Sequence, residues 1–260
     1  DTYKITLNKV SNMLKQLDNV VCINRPEHIA LTTRDSISRL LQGIDGLTVP
    51  YTVRITPRAP EDIVTAIRDS ELELPVLIRE CGRHGGEKTQ LLQTLEEVDR
   101  LYSFALDGRD YYLTAYHDFA EKNAAGDTVY KKYRIAVIDG RPYIRHLIIS
   151  DDWMIHSDSR RFMQQQQERQ QEETRALETF DSTIAPLIQP VISEIQQRLQ
   201  LEYFGIDCNI TTEGKILLFE ANATMNILLN NAEPPNKWQL PIAKIKQGLV
   251  EMIMRRVEAA

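Results

Sequence analysis

The sequence predicts an α+β protein of two lobes, and three observations carry that expectation. Short apolar strands pair around strong turn signals, the clearest being Asp139-Gly140 within "VYKKYRIAVIDGRPYIRHLIIS" (129–150). Helical periods fall before, between and after these hairpins rather than alternating strictly with strands, which favours antiparallel sheets with helices packed on them. A polar stretch near 118–128 ("DFAEKNAAGD") separates the two patterns and marks the expected seam, where pockets tend to form.

Taken in order, residues 1–20 predict a helix, with Ile5, Val10, Met13, Leu14 and Leu17 near helical spacing. "VVCIN" (20–24) predicts a short buried strand and "RPEHIALTT" (25–33) a loop. Residues 32–44 predict a helix that Thr32 or Thr33 can cap. Strand 51–55 follows, then helix 59–70, which has Pro60 and two acids in its first turn. Strand 74–81 runs into a glycine-bearing loop, 82–88, followed by helix 95–105 and strand 111–119. After the hairpin, "WMIHS" (153–157) is expected to extend the sheet. Residues 159–180 predict a solvated helix with one anchored end, and Pro186 and Pro190 are expected to divide it from a further helix, 191–200. "GIDCNITTEGKILLFEAN" (205–222) predicts a second hairpin, and 242–260 a final helix.

Length and composition narrow the class. The chain has 260 residues, 42% hydrophobic and 26% charged, the balance of an ordinary soluble globular protein. A net charge of −6 gives no basic excess to suggest nucleic acid or an anionic membrane as partner. No apolar run is long enough to span a bilayer and no signal peptide is visible, so a cytoplasmic location is expected. Cys22, Cys81 and Cys208 lie far apart and fit buried thiols in a reducing compartment. The first residue is Asp1, not Met, which suggests further sequence upstream.

Three stretches carry chemistry. In "IRECGRHGG" (78–86) Arg79 ends an apolar strand, and Gly82, Gly85 and Gly86 follow among Arg83, His84 and Lys88. Glycines let backbone amides approach an anion, so this loop reads either as a flap over phosphates or as a solvated turn. It lacks the ending of a Walker A loop. In the first hairpin, alternation puts Lys132 and Arg134 on one face, with Arg145 and His146 on the facing strand. Such a cluster suits phosphate or carboxylate, and it equally suits an edge hairpin guarded by charge. His117 beside Asp118 reads as a structural histidine, because no Ser or Cys nucleophile motif accompanies it. Trp153 and His156 either line a pocket or pack. Finally, the apolar run Ile216–Phe219 ends on Glu220, a carboxylate that burial disfavours unless something pairs it.

In this order the pieces resemble the ATP-grasp superfamily over roughly residues 20–260. "TRDSISRLLQGIDGLTVPYT" resembles its first-lobe helix and following strand entry. "LPVLIRECGRHGG" resembles its nucleotide-binding strand and glycine loop, and "YYLTAYHDF" its interlobe strand at adenine. "FGIDCNITTEGKILLFEAN" resembles the metal-binding end, an Asp followed by Glu-x-Asn, and is the specific part of the match. Arg79 stands where the family usually has lysine, and Arg34 occupies the position of its first-lobe cation.

The resemblance implies two α+β lobes clasping a nucleotide: 1–30 as the remnant of a preceding domain, 31–115 as the first lobe and 116–260 as the second. It implies ATP and Mg²⁺ as cofactors. The implied nucleotide-binding residues are Arg34, Arg79, Gly82, Gly85, Gly86, Tyr116 and His117, and the implied metal ligands Asp207, Glu220 and Asn222. Arg134 and Arg145 are expected at the catalytic step. The implied reaction is carboxylate ligation through an acylphosphate, with a carboxylate substrate and a nucleophile, an amine by preference, as partners. A phosphotransferase on the same fold and a non-catalytic nucleotide-binding module are the alternatives, and a homo-oligomer is left open. Glu220 and Asn222 share a strand face, and a two- or four-residue turn would put Asp207 on the same face. A three-residue turn would send Asp207 to the other face. The competing reading is a buried carboxylate capped by Arg134 or Arg145.

Overall fold

The computed structural model describes residues 2–17, 20–82, 88–123 and 125–258. It begins with helices α1 (Thr2–Leu14), α2 (Pro26–Ile29) and α3 (Arg34–Leu40) and the short strand β1 (Leu47–Thr48). Next come β2 (Thr52–Ile55), α4 (Pro60–Asp69), β3 (Val76–Glu80), β4 (Thr89–Leu92), a 3-10 turn at Leu95–Arg100, and β5 (Tyr111–Ala115). The remainder is β6 (Ala120–Lys122), β7 (Thr128–Ile138), β8 (Arg141–Ser150), α5 (Ser157–Met163), α6 (Gln167–Leu199), β9 (Tyr203–Ile210), β10 (Ile216–Asn222) and α7 (Gln239–Glu258).

Two sheets result. The smaller is antiparallel, in the order β2-β5-β3-β4. Its alternation is strict. Val76, Ile78, Tyr111 and Leu113 face a core with Ile63 and Ile67 of α4, while Leu77, Arg79, Tyr112 and Thr114 face a cavity. The larger sheet runs β1-β10-β9-β7-β6, with β8 on the other side of β7. One face of it (Ile135, Val137, Leu147, Ile149, Ile206, Cys208) is buried against Phe180, Ile188, Ile192, Ile195 and Leu199 of α6. The other face carries Ala136 and Ile138 toward α7 at one end and Lys132 and Arg134 toward the cavity at the other.

Six expectations need correction. Residues 20–24 form no strand. Asn24 has left-handed backbone (φ 60), and its side-chain amide bonds the edge of β9 in both directions: Nδ2 donates to Tyr203 O and Oδ1 accepts the Tyr203 N–H at 3.0 Å. One amide side chain thus does what a backbone ladder was expected to do. Residues 153–156 leave the sheet rather than extend it. The Ser150 hydroxyl accepts the Asp152 N–H and the Asp152 carboxylate accepts the Met154 N–H, local bonds that compete with strand pairing. The prolines do not divide the long helix, because α6 runs through Pro186 and Pro190 while burying Phe180, Ile188, Ile192, Ile195 and Leu199. That apolar stripe outweighs the carbonyls the two rings leave unbonded. The helix expected at 95–105 is only the short 3-10 turn. The expected loop 25–33 contains the one-turn helix α2, started by Pro26, and the helix expected over 159–180 is broken at 164–166 into α5 and the start of α6; the remaining predicted elements are present with shifted ends. Among the described residues no helix is long and apolar enough to cross a membrane.

Candidate functional site

The site is built on one transverse row of the larger sheet. Strand pairing aligns His146 of β8 with Arg134 of β7, Arg134 with Asp207 of β9, and Asp207 with Glu220 of β10. All four side chains line a cavity of about 740 Å³ between the two sheets. Two residues on from members of the row, Lys132 and Asn222 line it as well.

Two β-bulges create the row. The first is on β10. The β9–β10 turn has an odd number of residues, 211–215, between the paired Ile210 and Ile216. An unbroken ladder from that pair would set Glu220 against Ile206, on the face that packs against α6. An extra residue, Phe219, shifts the register, and Glu220 meets Asp207 instead. So the expected shared face exists, reached by a different turn. The freed Phe219 carbonyl accepts from Arg34 Nη1 at 2.6 Å, while Arg34 Nη2 meets Glu220 Oε2 at 2.6 Å. One guanidinium at the start of α3 therefore holds the bulge and its carboxylate together. The second bulge is on β8, where Arg134 pairs with His146 and Ile135 with Ile144, leaving Arg145 outside the ladder. Arg145 is buried, donates from Nη2 to Leu229 O at 2.7 Å, and does not line the cavity. His146 takes the place opposite Arg134.

Every acid in the row has a cation. Asp207 receives a two-pronged contact from Arg134, Nε to Oδ1 at 2.7 Å and Nη2 to Oδ2 at 2.8 Å, with Lys132 Nζ at 3.8 Å. Burial pushes the Glu220 carboxyl up, but Arg34 and Arg79 outweigh it and hold the group below its ordinary 4.5. Burial and then the charge of Arg34 bring Arg79 down to about 10, so it stays protonated at neutral pH. Lys132 is lowered, chiefly by burial. Arg134 is raised, because its bonds to Asp207 exceed the burial penalty. Arg34, Arg79, Lys132 and Arg134 thus outnumber the two carboxylates in the same cavity, which leaves room for anions.

The rest of the lining is apolar and aromatic. Phe119 packs against Phe219 in a tilted arrangement with ring centres 4.8 Å apart, and Tyr116 meets Trp153 edge to face at 5.7 Å. Pro50 and Leu77, with Ile148 and Leu217 of the larger sheet, add apolar lining. His117 lines the cavity and is lowered by burial. Of the other expected residues, Gly82 lies just past β3 with φ +79 and outside the cavity lining, and Gly85 and Gly86 fall outside the described residues. Lys132, His146, Trp153, His156 and Arg160 line the cavity without having been assigned to a site. Alternation already put Lys132 beside Arg134, but nothing in the sequence announces the β8 bulge that brings His146 in.

Asp207, Glu220 and Asn222 are an all-oxygen donor set of the kind a hard divalent cation takes. Their present partners are protein groups. Asn222 turns Nδ2 to Glu220 Oε1 at 3.3 Å and gives Oδ1 to the Thr224 N–H at 2.7 Å. Among the described residues no group of three His, Cys, Asp or Glu could hold a metal, so the amide oxygen would have to complete the set.

No family model and no curated protein matches the chain. Solved structures do. The D-alanine–D-alanine ligase from Coxiella burnetii superposes with a TM-score of 0.55 over 96% of this chain and 66% of its own length, at 13% identity. D-alanyl-alanine synthetase A from Vibrio cholerae gives 0.55 over 95% and 72%, at 12% identity. A RimK-domain ATP-grasp protein from Sphaerobacter thermophilus gives 0.52 over 96% and 76%, at 13% identity. The chain spans about two thirds of the length of the Coxiella ligase. The likeness extends over nearly the whole chain, and the chain has the ATP-grasp fold.

Proposed function

We propose that this chain binds ATP in the cavity between its sheets and uses it to activate a carboxylate for ligation to a nucleophile, preferably an amine. One observation carries the reading: the row His146–Arg134–Asp207–Glu220 shares a single cavity with Arg34, bonded to Glu220, with Arg79 and with a set of aromatic side chains. The aromatic lining, with Tyr116, His117, Phe119 and Phe219, suits a planar base. Arg79 and Arg34 suit the phosphates. Asp207, Glu220 and Asn222 would hold Mg²⁺, which when bound neutralises charge on the phosphates.

The chain's own residues supply positioning and charge. A substrate carboxylate oxygen attacks the γ-phosphorus, and the bond to the β–γ bridging oxygen breaks, releasing ADP and leaving an acylphosphate. The nucleophile's lone pair then attacks the acyl carbon, phosphate departs with the bonding pair, and the amine gives up a proton. Arg134 and Lys132, already in a site short of anions, stabilise the equatorial oxygens as charge spreads over them. No protein nucleophile is required.

The test is a turnover assay with Mg-ATP and a panel of carboxylates and amines. The expected products are ADP and free phosphate, with dependence on both substrates. AMP and pyrophosphate would refute the reading, and a stable phosphorylated product would make the chain a phosphotransferase. Arg79→Ala should weaken an ATP analogue about tenfold or more, as loss of a charged hydrogen-bond donor implies. The closed pairing of both carboxylates with arginines favours a second reading, a nucleotide-binding module without catalysis. Tight ATP binding with no turnover would select it.

A further inference from the structure

Resting on that reading, we infer that the His146 end of the cavity is a subsite for a second carboxylate of the acceptor substrate, one that is held and does not react. The substrate class is thereby a compound with two carboxylates, gripped at one by Arg160 with His156 beside it.

The row crosses four strands, so His146 and Glu220 stand three strand spacings apart, roughly 14 Å. Phosphates gathered by Arg34 and Arg79 beside Glu220 cannot also neutralise cations beyond His146. Those cations are present. Arg160 of α5 lines the cavity there, and Arg145 and Arg134 are close enough to act on His146 along with it. Burial, then Arg160 and Arg134, bring Arg145 down to about 10, and among the described residues it has no carboxylate partner.

The nearby acids are already engaged. Asp207 belongs to Arg134. Glu173 is almost wholly enclosed and is held by Lys237 at 2.7 Å and by the Trp238 indole N–H at 3.0 Å. Arg160 is its weakest partner, with Nη1 at 3.4 Å from Oε1. The Arg160 guanidinium instead lies over the Trp238 ring at 5.1 Å, and its Nη2 is enclosed without a hydrogen-bond partner among the described residues. An unpaired enclosed donor is unfavourable, and a small rotation of the fork toward the cavity would give it a carboxylate oxygen. His156, also on the lining, accepts the Asp158 N–H at Nδ1, which leaves the ring proton on Nε2 as a further donor. His146 is pressed toward its neutral form by burial and by Arg160, Arg134, Arg145 and Lys132, so it adds no competing charge.

The experiment is calorimetric titration of the chain, with and without an ATP analogue and Mg²⁺. The ligands are succinate and glutarate against butyrate and pentanoate, and N-acetylglutamate against N-acetylglutamine. The expected result is a preference of about tenfold to a hundredfold for the dicarboxylates, the range of a charge-assisted hydrogen-bonded pair. Arg160→Gln should reduce that preference to within about twofold of none, leave analogue affinity unchanged within about twofold, and let Arg160→Lys recover part of it. Glu173 keeps Lys237 and Trp238 in both variants, so both are expected to fold, which circular dichroism checks. No dicarboxylate preference in the wild type, or a preference that survives Arg160→Gln, overturns the subsite. Failure of the analogue to bind overturns the nucleotide reading instead, and the titrations without nucleotide still decide the subsite.

Discussion

The two ends of the transverse row differ in how their charge is balanced. At the Glu220 end, cations and acids come from strands and from α3, and each carboxylate has an arginine within 2.8 Å. At the His146 end, the cations come from a bulge and from α5, and the acid there, Glu173, is held closely by Lys237 and Trp238 and only at 3.4 Å by Arg160. Both ends carry more cations than acids, but at the first each carboxylate is tightly held, while at the second Arg145 has no carboxylate partner among the described residues and Arg160 only a long contact. A sheet row can present identical geometry at both ends, and still the elements packed over it decide where a ligand's charge is needed.

The largest effect that would break the comparison is at Glu220. Glu220→Gln keeps shape and leaves Arg34 its bond to the Phe219 carbonyl, so folding should survive. Mg-dependent ATP turnover should fall by about a hundredfold or more if the carboxylate holds charge at the reacting phosphates. Unchanged ADP release in the folded variant would reduce Glu220 to a structural role. A second variant addresses the other end. Glu173→Leu strands Lys237 and Arg160 beside a buried apolar side chain, which should cost about 3–5 kcal/mol. Scanning calorimetry should then show Tm lower by roughly 10 °C for a chain of this size. A drop under about 2 °C would mean that α5 is held in place without Glu173.

The smallest effect sharpens the contrast through pH. His146 is pressed well below its ordinary 6.5 in the folded protein, so the unfolded chain takes up the proton first as pH falls. The wild type should therefore lose stability from about pH 6.5 downward, at up to about 1.4 kcal/mol per pH unit, and lose nothing from this group above that pH. Urea unfolding of His146→Gln between pH 7 and 5 should be flatter. Glu220, held below 4.5, acts only at lower pH and does not confuse the comparison. Equal slopes in the two proteins would show that His146 accepts its proton while folded.

Much of the fold was legible because local signals and tertiary packing agree. The first hairpin turns on Asp139 and Gly140, both with positive φ (46 and 74), as that dipeptide suggests. Lys132 and Arg134 were placed on one face by simple alternation, and both line the cavity. What was not legible depended on single extra residues and on side chains replacing backbone. A bulge adds one residue and leaves no periodicity to read, so neither Arg145 nor Phe219 declared itself. Arg145 was expected with Arg134 at the catalytic step, and it is His146 that stands opposite Arg134. Asn24 docks on β9 by its amide, and Ser150 with Asp152 bends the chain off the sheet, by bonds no propensity reports.

The bulge at Phe219 gives the β9–β10 turn a parity. With five residues in the turn and one in the bulge, Glu220 reaches the cavity side of the sheet. Straightening the ladder with Phe219 retained would rotate Glu220 and Asn222 together into the layer beneath α6, without changing a single side chain. Deleting Phe219 outright would instead leave Glu220 opposite Asp207 in a regular ladder. The bulge is therefore the frame of the site, and Arg34, bonded to its carbonyl and its carboxylate, is the latch that keeps it.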